Sequence, residues 1–166
     1  MIPNILKNFN VFIDGRGYAG KAEEITLPKL TKKIEEYRGA GMSAPIDIDM
    51  GLEKLEMDIT FADYDEELFK LWGATNGSEI QFTIRGALQG TSAAIPVIVN
   101  VTGYLKEMES GSWKAGEKST LKCSLSCNYY KLTINNAEII EIDPINMVNK
   151  VNGIDTLSEI RSILQV

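Results

Sequence analysis

Leu121-Lys-Cys-Ser-Leu-Ser-Cys-Asn-Tyr-Tyr-Lys-Leu-Thr-Ile134 decides the fold class. Leu121, Cys123, Leu125, Cys127 and Tyr129 stand at every second position, with polar residues between the first four, so one face of an extended strand is apolar. The phase then slips to Tyr130, Leu132 and Ile134, as a bulge or a strand changing sheets requires. The same period of two recurs along the chain. Ile80, Phe82, Ile84 and Leu88 make one such face, and Ile95, Val97, Val99, Val101 and Leu105 another. Ile46, Ile48, Met50 and Leu52 are opposed by Asp47 and Asp49, and Leu55, Met57, Ile59 and Phe61 by Glu56, Asp58 and Thr60. Residues 9–13, 18–26, 31–37 and 137–143 read as further strands.

Helices are few. Asp63-Tyr-Asp-Glu-Glu-Leu-Phe-Lys-Leu-Trp-Gly73 has an acidic start, Glu66 three residues on, an apolar stripe of Leu68, Leu71 and Trp72, and a glycine stop, which predicts a short helix near 64–72. Asp155–Leu164 predicts a second one at the C-terminal end, with Leu157, Ile160 and Leu164 on one side. Asp14-Gly15 and Asn135-Asn136 sit between apolar runs as hairpin turns. The expected fold is therefore mainly β: an antiparallel sandwich or barrel-like single domain over residues 1–166, with no internal repeat and no linker. Gly39-Ala40-Gly41-Met42-Ser43-Ala44-Pro45 forms a flexible tip between strands that together span about residues 31–61. Such a projecting hairpin is long for a domain of 166 residues, and a lone two-stranded hairpin is marginal in water. The chain is expected to complete itself with neighbours.

Composition excludes several functions. Seventeen basic against 23 acidic residues give a net charge of −6, the opposite of a protein that grips nucleic-acid phosphates. Histidine is absent, which removes Ser-His-Asp and Cys-His mechanisms and the commonest metal ligand. Cys123 and Cys127 on one strand face would lie about 13 Å apart at ~3.3 Å per residue, too far for a disulfide. They read as small buried apolar residues of a protein with reduced thiols. No signal-peptide core and no run of about 20 apolar residues is present, so an intracellular protein without membrane insertion is expected.

Two motifs resemble nucleotide sites and fail on spacing. Gly15-Arg-Gly-Tyr-Ala-Gly20 matches G-x-G-x-x-G, but the segment after it is stopped by Pro28 where a helix must begin. In Gly111-Ser-Trp-Lys-Ala-Gly-Glu-Lys-Ser119, Glu117 separates the second glycine from Lys118, and a strand follows. Asp47 with Asp49, and Glu56 with Asp58, are carboxylate pairs of the kind that bind calcium or hydrolyse glycosides, although solvated strand faces show the same pattern. No catalytic residue, cofactor site or metal site is expected.

The runs Val11-Phe-Ile-Asp-Gly15, Leu27-Pro-Lys-Leu30, Tyr37-Arg-Gly-Ala-Gly-Met42 and Ala44-Pro-Ile-Asp-Ile-Asp-Met-Gly-Leu-Glu53 occur in this order. Trp113-Lys-Ala-Gly-Glu-Lys118, Tyr129-Tyr-Lys-Leu132 and Glu141-Ile-Asp-Pro-Ile-Asn-Met147 follow. Together they resemble the major tail tube proteins of P2-like contractile-tailed phages and the tube subunits of R-type tailocins, nearly end to end. The resemblance implies hexameric rings that share one inner β-barrel and stack into a hollow tube. It implies a surrounding contractile sheath that drives the tube through a target envelope, with baseplate and tail terminator proteins as further partners. It also implies tape-measure protein and then DNA passing through the lumen, assembly in a host cytoplasm, and no catalytic residues. On this basis residues 39–45 are expected to bridge one ring to the next, and Asp47, Asp49, Glu56 and Asp58 to face the lumen, where acidic charge lets DNA slide without sticking. A type VI secretion tube or a monomeric ligand-binding β-barrel are the alternatives. Gel filtration with negative-stain microscopy separates them, since only tube proteins give rings or hollow filaments.

Overall fold

The computed structural model describes residues 1–166. Strands β1 (Ile5–Ile13), β2 (Arg16–Gly17), β3 (Ala22–Thr26), β4 (Lys32–Tyr37), β5 (Ile46–Leu52) and β6 (Leu55–Phe61) precede helix α1 (Glu66–Lys70), which runs into a 3-10 turn at Leu71–Gly73. Then come β7 (Ile80–Gln89), β8 (Ile95–Glu109), β9 (Leu121–Ile134), β10 (Ala137–Asp143), β11 (Val148–Val151), β12 (Ile154–Asp155) and α2 (Ser158–Leu164). All pairings are antiparallel. Ten strands join in the order β12-β11-β10-β9-β8-β7-β1-β2, with β6 on the other edge of β9 and β3 outside β6.

The long hairpin β8–β9 is the spine. The second half of β9 lies between β8 and β10, and its first half between β8 and β6. The change of neighbour coincides with the phase slip in the sequence. Thr102 pairs with Tyr129 and Gly103 with Cys127, leaving Asn128 as an extra residue. That bulge turns Tyr130 inward after Leu121, Cys123, Leu125 and Cys127, all of them buried. Gly103 permits the crossing: a Cβ built there would stand 2.1 Å from the Ser126 carbonyl oxygen. Apolar faces from both parts meet in one cluster of 20 buried residues. Phe61, Phe82, Met57, Ile59 and Leu68 are its largest fully buried members, each contributing about 1.5–3 kcal/mol by burial. Tyr18 packs edge-on against Phe61 at 5.7 Å between ring centres.

Local signals act where expected, with shifts. Asp14 and Gly15 take φ of 47° and 83°, and Asn135 and Asn136 take 50° and 64°, the left-handed conformations of tight hairpin turns. Helix α1 is capped by Asp65, whose Oδ1 accepts from the Glu67 N–H at 3.0 Å, rather than by Asp63. Lys21 Nζ, 3.1 Å from Asp65 Oδ2, holds the cap in place. Leu68 is buried under the helix, but Trp72 is exposed. In α2, Asp155 bonds the Leu157 N–H at 3.1 Å and pairs with Arg161 at 2.7 Å. Ile160 and Leu164 remain exposed, so the expected apolar side of this helix is uncovered.

The projecting hairpin is shorter than the sequence suggests. Strands β4 and β5 pair only with each other as a separate two-stranded ribbon, residues 32–52. Strand β6 does not belong to it. Leu55, Met57, Ile59 and Phe61 are buried, and β6 runs alongside β9 from Leu55–Cys127 to Phe61–Leu121. Glu53 and Lys54 separate the two destinations.

Candidate assembly surface

Every residue of β4 and all of β5 except Leu52 are exposed. The register pairs Tyr37 with Ile46, Glu36 with Asp47, Glu35 with Ile48 and Ile34 with Asp49. Directly opposed residues share a face, so Tyr37, Ile46 and Ile48 form a mainly apolar side that also carries Glu35. Glu36, Asp47, Ile34 and Asp49 form the other. Tyr37, Ile46, Ile48 and Met50 are each 41–54% exposed, an apolar strip that the subunit leaves in water. Gly51, at φ 101°, sits at the register shift near the root of the ribbon. Its N–H donates to Asp49 Oδ1 at 2.9 Å, and Lys32 lies 3.1 Å from the same carboxylate. These two contacts hold the Asp49 carboxyl below the usual range. Glu36 and Asp47, like-charged and face to face, have no cation within ion-pair distance in the subunit.

The tip, residues 39–45, is closed by its own bonds. Met42 N–H donates to the Gly39 carbonyl at 3.2 Å, and Arg38 Nε donates to the Met42 carbonyl at 3.2 Å. Gly41 takes φ 87°, the conformation that demands glycine here.

The four carboxylates expected on one face are divided. Asp47 and Asp49 belong to the ribbon, whereas Glu56 and Asp58 lie on β6 in the body of the domain. Glu56 is gripped by Lys106 at 2.5 Å and Lys54 at 2.7 Å, which draw its pKa down to about 2. Asp58 accepts from Ser124 Oγ at 2.6 Å. The two segments share one alternation pattern, but β6 carries Leu55, Met57, Ile59 and Phe61 into the core and β5 does not.

A second surface escaped the sequence. Strand β1 pairs with β7 along its length, but β2 covers only Phe12 and Ile13 on its other edge. The Tyr18 N–H bonds the Val11 carbonyl at 2.8 Å, so the edge from Ile5 to Asn10 has no neighbouring strand. Asn8 Oδ1 accepts from the Phe9 N–H, and Asn10 Oδ1 from the Val11 N–H, each at 2.8 Å. Nothing in the residue pattern marks these asparagines, because an asparagine in a strand reads simply as a polar position.

The apparent nucleotide motifs are loops between strands. Gly15–Gly20 runs from the β1–β2 turn through the two-residue strand β2 toward β3, and residues 111–119 join β8 to β9. Trp113 Nε1 donates to Tyr64 Oη at 2.9 Å within that loop, and Tyr64 in turn donates to the Ser110 carbonyl. Cys123 and Cys127 are free and buried, and burial pushes both thiols up to about 12. No three His, Cys, Asp or Glu residues converge as a metal site.

The family model for phage tail tube protein FII matches residues 3–164. The tail tube protein of Escherichia phage P2 is 40% identical over 165 residues, 96% of each chain. The major tail tube protein of Serratia phage KSP20 is 29% identical over 154 residues, 92% of this chain and 90% of that one. Among solved structures, the sheath–tube complex of the PVC extracellular contractile injection system, in its extended state, superposes with a TM-score of 0.59. It is 14% identical and covers 76% of this chain and 88% of that chain. The baseplate of the anti-feeding prophage gives 0.56 at 9% identity, covering 75% and 90%. At such identities the two structures speak for the fold alone.

Proposed function

This chain belongs to the phage tail tube protein FII family, a family of structural subunits of the contractile tail tube, and on that premise we propose that it works by self-association alone. Six copies close into a ring, rings stack into a hollow tube, and no bond is made or broken in a substrate. A head-to-tail contact that closes by rotation builds the ring, and a translated one builds the filament. The observation that carries this is the ribbon of residues 32–52. It is a two-stranded sheet with five large apolar side chains in water and both outer edges open. Such an element is marginal alone and aggregates unless something pairs with it.

The tip at Gly39–Pro45 bridges one ring to the next. A sheath surrounds the tube, and baseplate and terminator proteins bound its ends. Tape-measure protein and then DNA occupy the lumen, and assembly takes place in the host cytoplasm. The ribbon face that carries Glu36, Asp47 and Asp49 turns to the lumen, where a wall without a cationic surplus gives phosphates nothing to grip. Glu56 and Asp58, engaged on β6 by lysines and Ser124, take no part in that face.

Deleting residues 40–44 is the test. The shortened protein should remain soluble and folded by circular dichroism but give no filaments by negative-stain microscopy. Tubes of ordinary length from the deletion variant would refute the bridging role.

A further inference from the structure

We propose that the ring closes by strand addition between two particular edges: the open edge of β1, residues 5–10, in one copy and the outer edge of β5, residues 46–50, in the next, with Asn8 acting as a removable cap on the first. The proposal rests on the ring-forming reading above and names the surface that performs it.

Strand addition needs two unpaired edges of similar length whose faces agree, since a one-residue slip inverts every side chain. The β1 edge offers six residues, roughly 20 Å, and an open notch of about 460 Å³ lies over Asn8–Asn10, lined also by Ala19, Gly20 and Ala22 and by Arg85–Ala87 of β7. Strand β5 has seven residues and an open outer edge. The faces also match. On one side of β1 lies Phe9, which packs on the core, with the Leu6 side chain near Gly86, the cross-strand partner of Phe9. The apolar side of the ribbon, Ile46 and Ile48, extends that surface. On its other side, Asn8 and Asn10 run beside exposed Arg85, the register partner of Asn10. The Asp47 side of the ribbon extends this one.

Charge selects among the open edges. Arg85 and Lys7 have no anion within ion-pair distance, just as Asp47 has no cation, so joining β1 to β5 supplies each with an opposite charge. Strand β3 carries Glu23 and Glu24, which would oppose Asp47 and Asp49. Strand β4 carries Lys32 and Lys33 along with Glu35 and Glu36, so its charge is mixed, whereas β5 carries only the acidic Asp47 and Asp49.

The Asn8 carboxamide explains how the edge survives before assembly. A bare edge N–H is a template for uncontrolled pairing. Asn8 covers the Phe9 N–H with its own side chain, and a carbonyl from the incoming strand replaces it. The cap opposes association by the worth of one exposed hydrogen bond, so removing it should favour assembly.

Two experiments test this on the full-length chain. Cysteines are placed pairwise, Lys7→Cys or Asn8→Cys with Asp47→Cys, Ile48→Cys or Asp49→Cys, and tubes are oxidised and run on a non-reducing gel. At least one pair should give a covalent ladder reaching six subunits. Normal tubes without a ladder, or a ladder only when the second cysteine is on β4 at Glu35 or Tyr37, would overturn the edge assignment while leaving the tube reading intact. Wild-type protein that never forms rings or tubes would instead remove the reading beneath it. Separately, Asn8→Ala should lower the protein concentration at which tubes appear in light scattering by about 2- to 12-fold. An unchanged or raised threshold in Asn8→Ala would overturn the cap.

Discussion

Replacing Gly103 by alanine should cost the subunit more than any other single methyl group could. A Cβ at this position meets the Ser126 carbonyl oxygen at 2.1 Å and the Cys127 Cα at 3.0 Å. A carbon and an oxygen in ordinary contact stand about 3.3–3.6 Å apart, so β8 and β9 must separate by roughly 1.2 Å. They must do so at the bend, beside the extra residue Asn128, where the core passes from one set of neighbours to the other. The obstacle is backbone, which cannot rotate away. Overpacking a tight core costs about 1–3 kcal/mol, and this case belongs at the upper end. The entropy that alanine removes from the unfolded chain returns only about 0.4–1 kcal/mol. A net loss of about 2–2.6 kcal/mol lowers Tm by about 4–10 °C in a chain of this size. The assay is thermal unfolding followed by circular dichroism, at a dilution where neither protein forms particles, because assembly would stabilise both by mass action. Gly73→Ala is the control: a Cβ there meets nothing within 4 Å. If Gly103→Ala melts within about 2 °C of the parent, the close crossing does not organise the fold.

Two further outcomes follow from the titrating groups. The Asp65 carboxyl lies below its usual range because the Glu67 N–H bonds it and Lys21 pairs with it. A depressed carboxylate stabilises the fold above its unfolded value of about 3.9 and stops doing so as pH falls through the folded one. Urea midpoints of wild type should therefore drop below about pH 4, and Asp65→Asn should flatten that drop; superimposable profiles would contradict the assignment. With Cys123 and Cys127 pushed up to about 12 by burial, a disulfide reagent near pH 8 should leave the folded protein untouched and titrate both thiols in guanidinium. Prompt reaction of the native protein would show the core to be open.

The parts of the fold legible in the sequence are those written in local pattern. The phase slip at Tyr130 announced the Asn128 bulge, because one inserted residue inverts the side-chain order. Asp14-Gly15 and Asn135-Asn136 announced their turns, because few other residues accept positive φ. What escaped was decided at long range. Residues 46–52 and 55–61 alternate alike, and only pairing with β9 sends the second into the core while the first projects. Helix α1 begins at Glu66, so Asp65 rather than Asp63 caps it, and Lys21, 44 residues earlier, pairs with both carboxylates. Of the candidate site, the tip showed itself through Gly39, Gly41 and Pro45. The division of the carboxylates and the capped edge of β1 did not, since both depend on which backbone runs beside which.

The ribbon packs on little besides itself, so the domain's folding energy resides almost wholly elsewhere. Substitutions along residues 32–50 are thus free to alter how copies meet without weakening each copy's own fold. On the assembly proposed above, the shape of the single molecule and the way copies meet become separately adjustable, and a lineage can retune that contact while its interior stays constant.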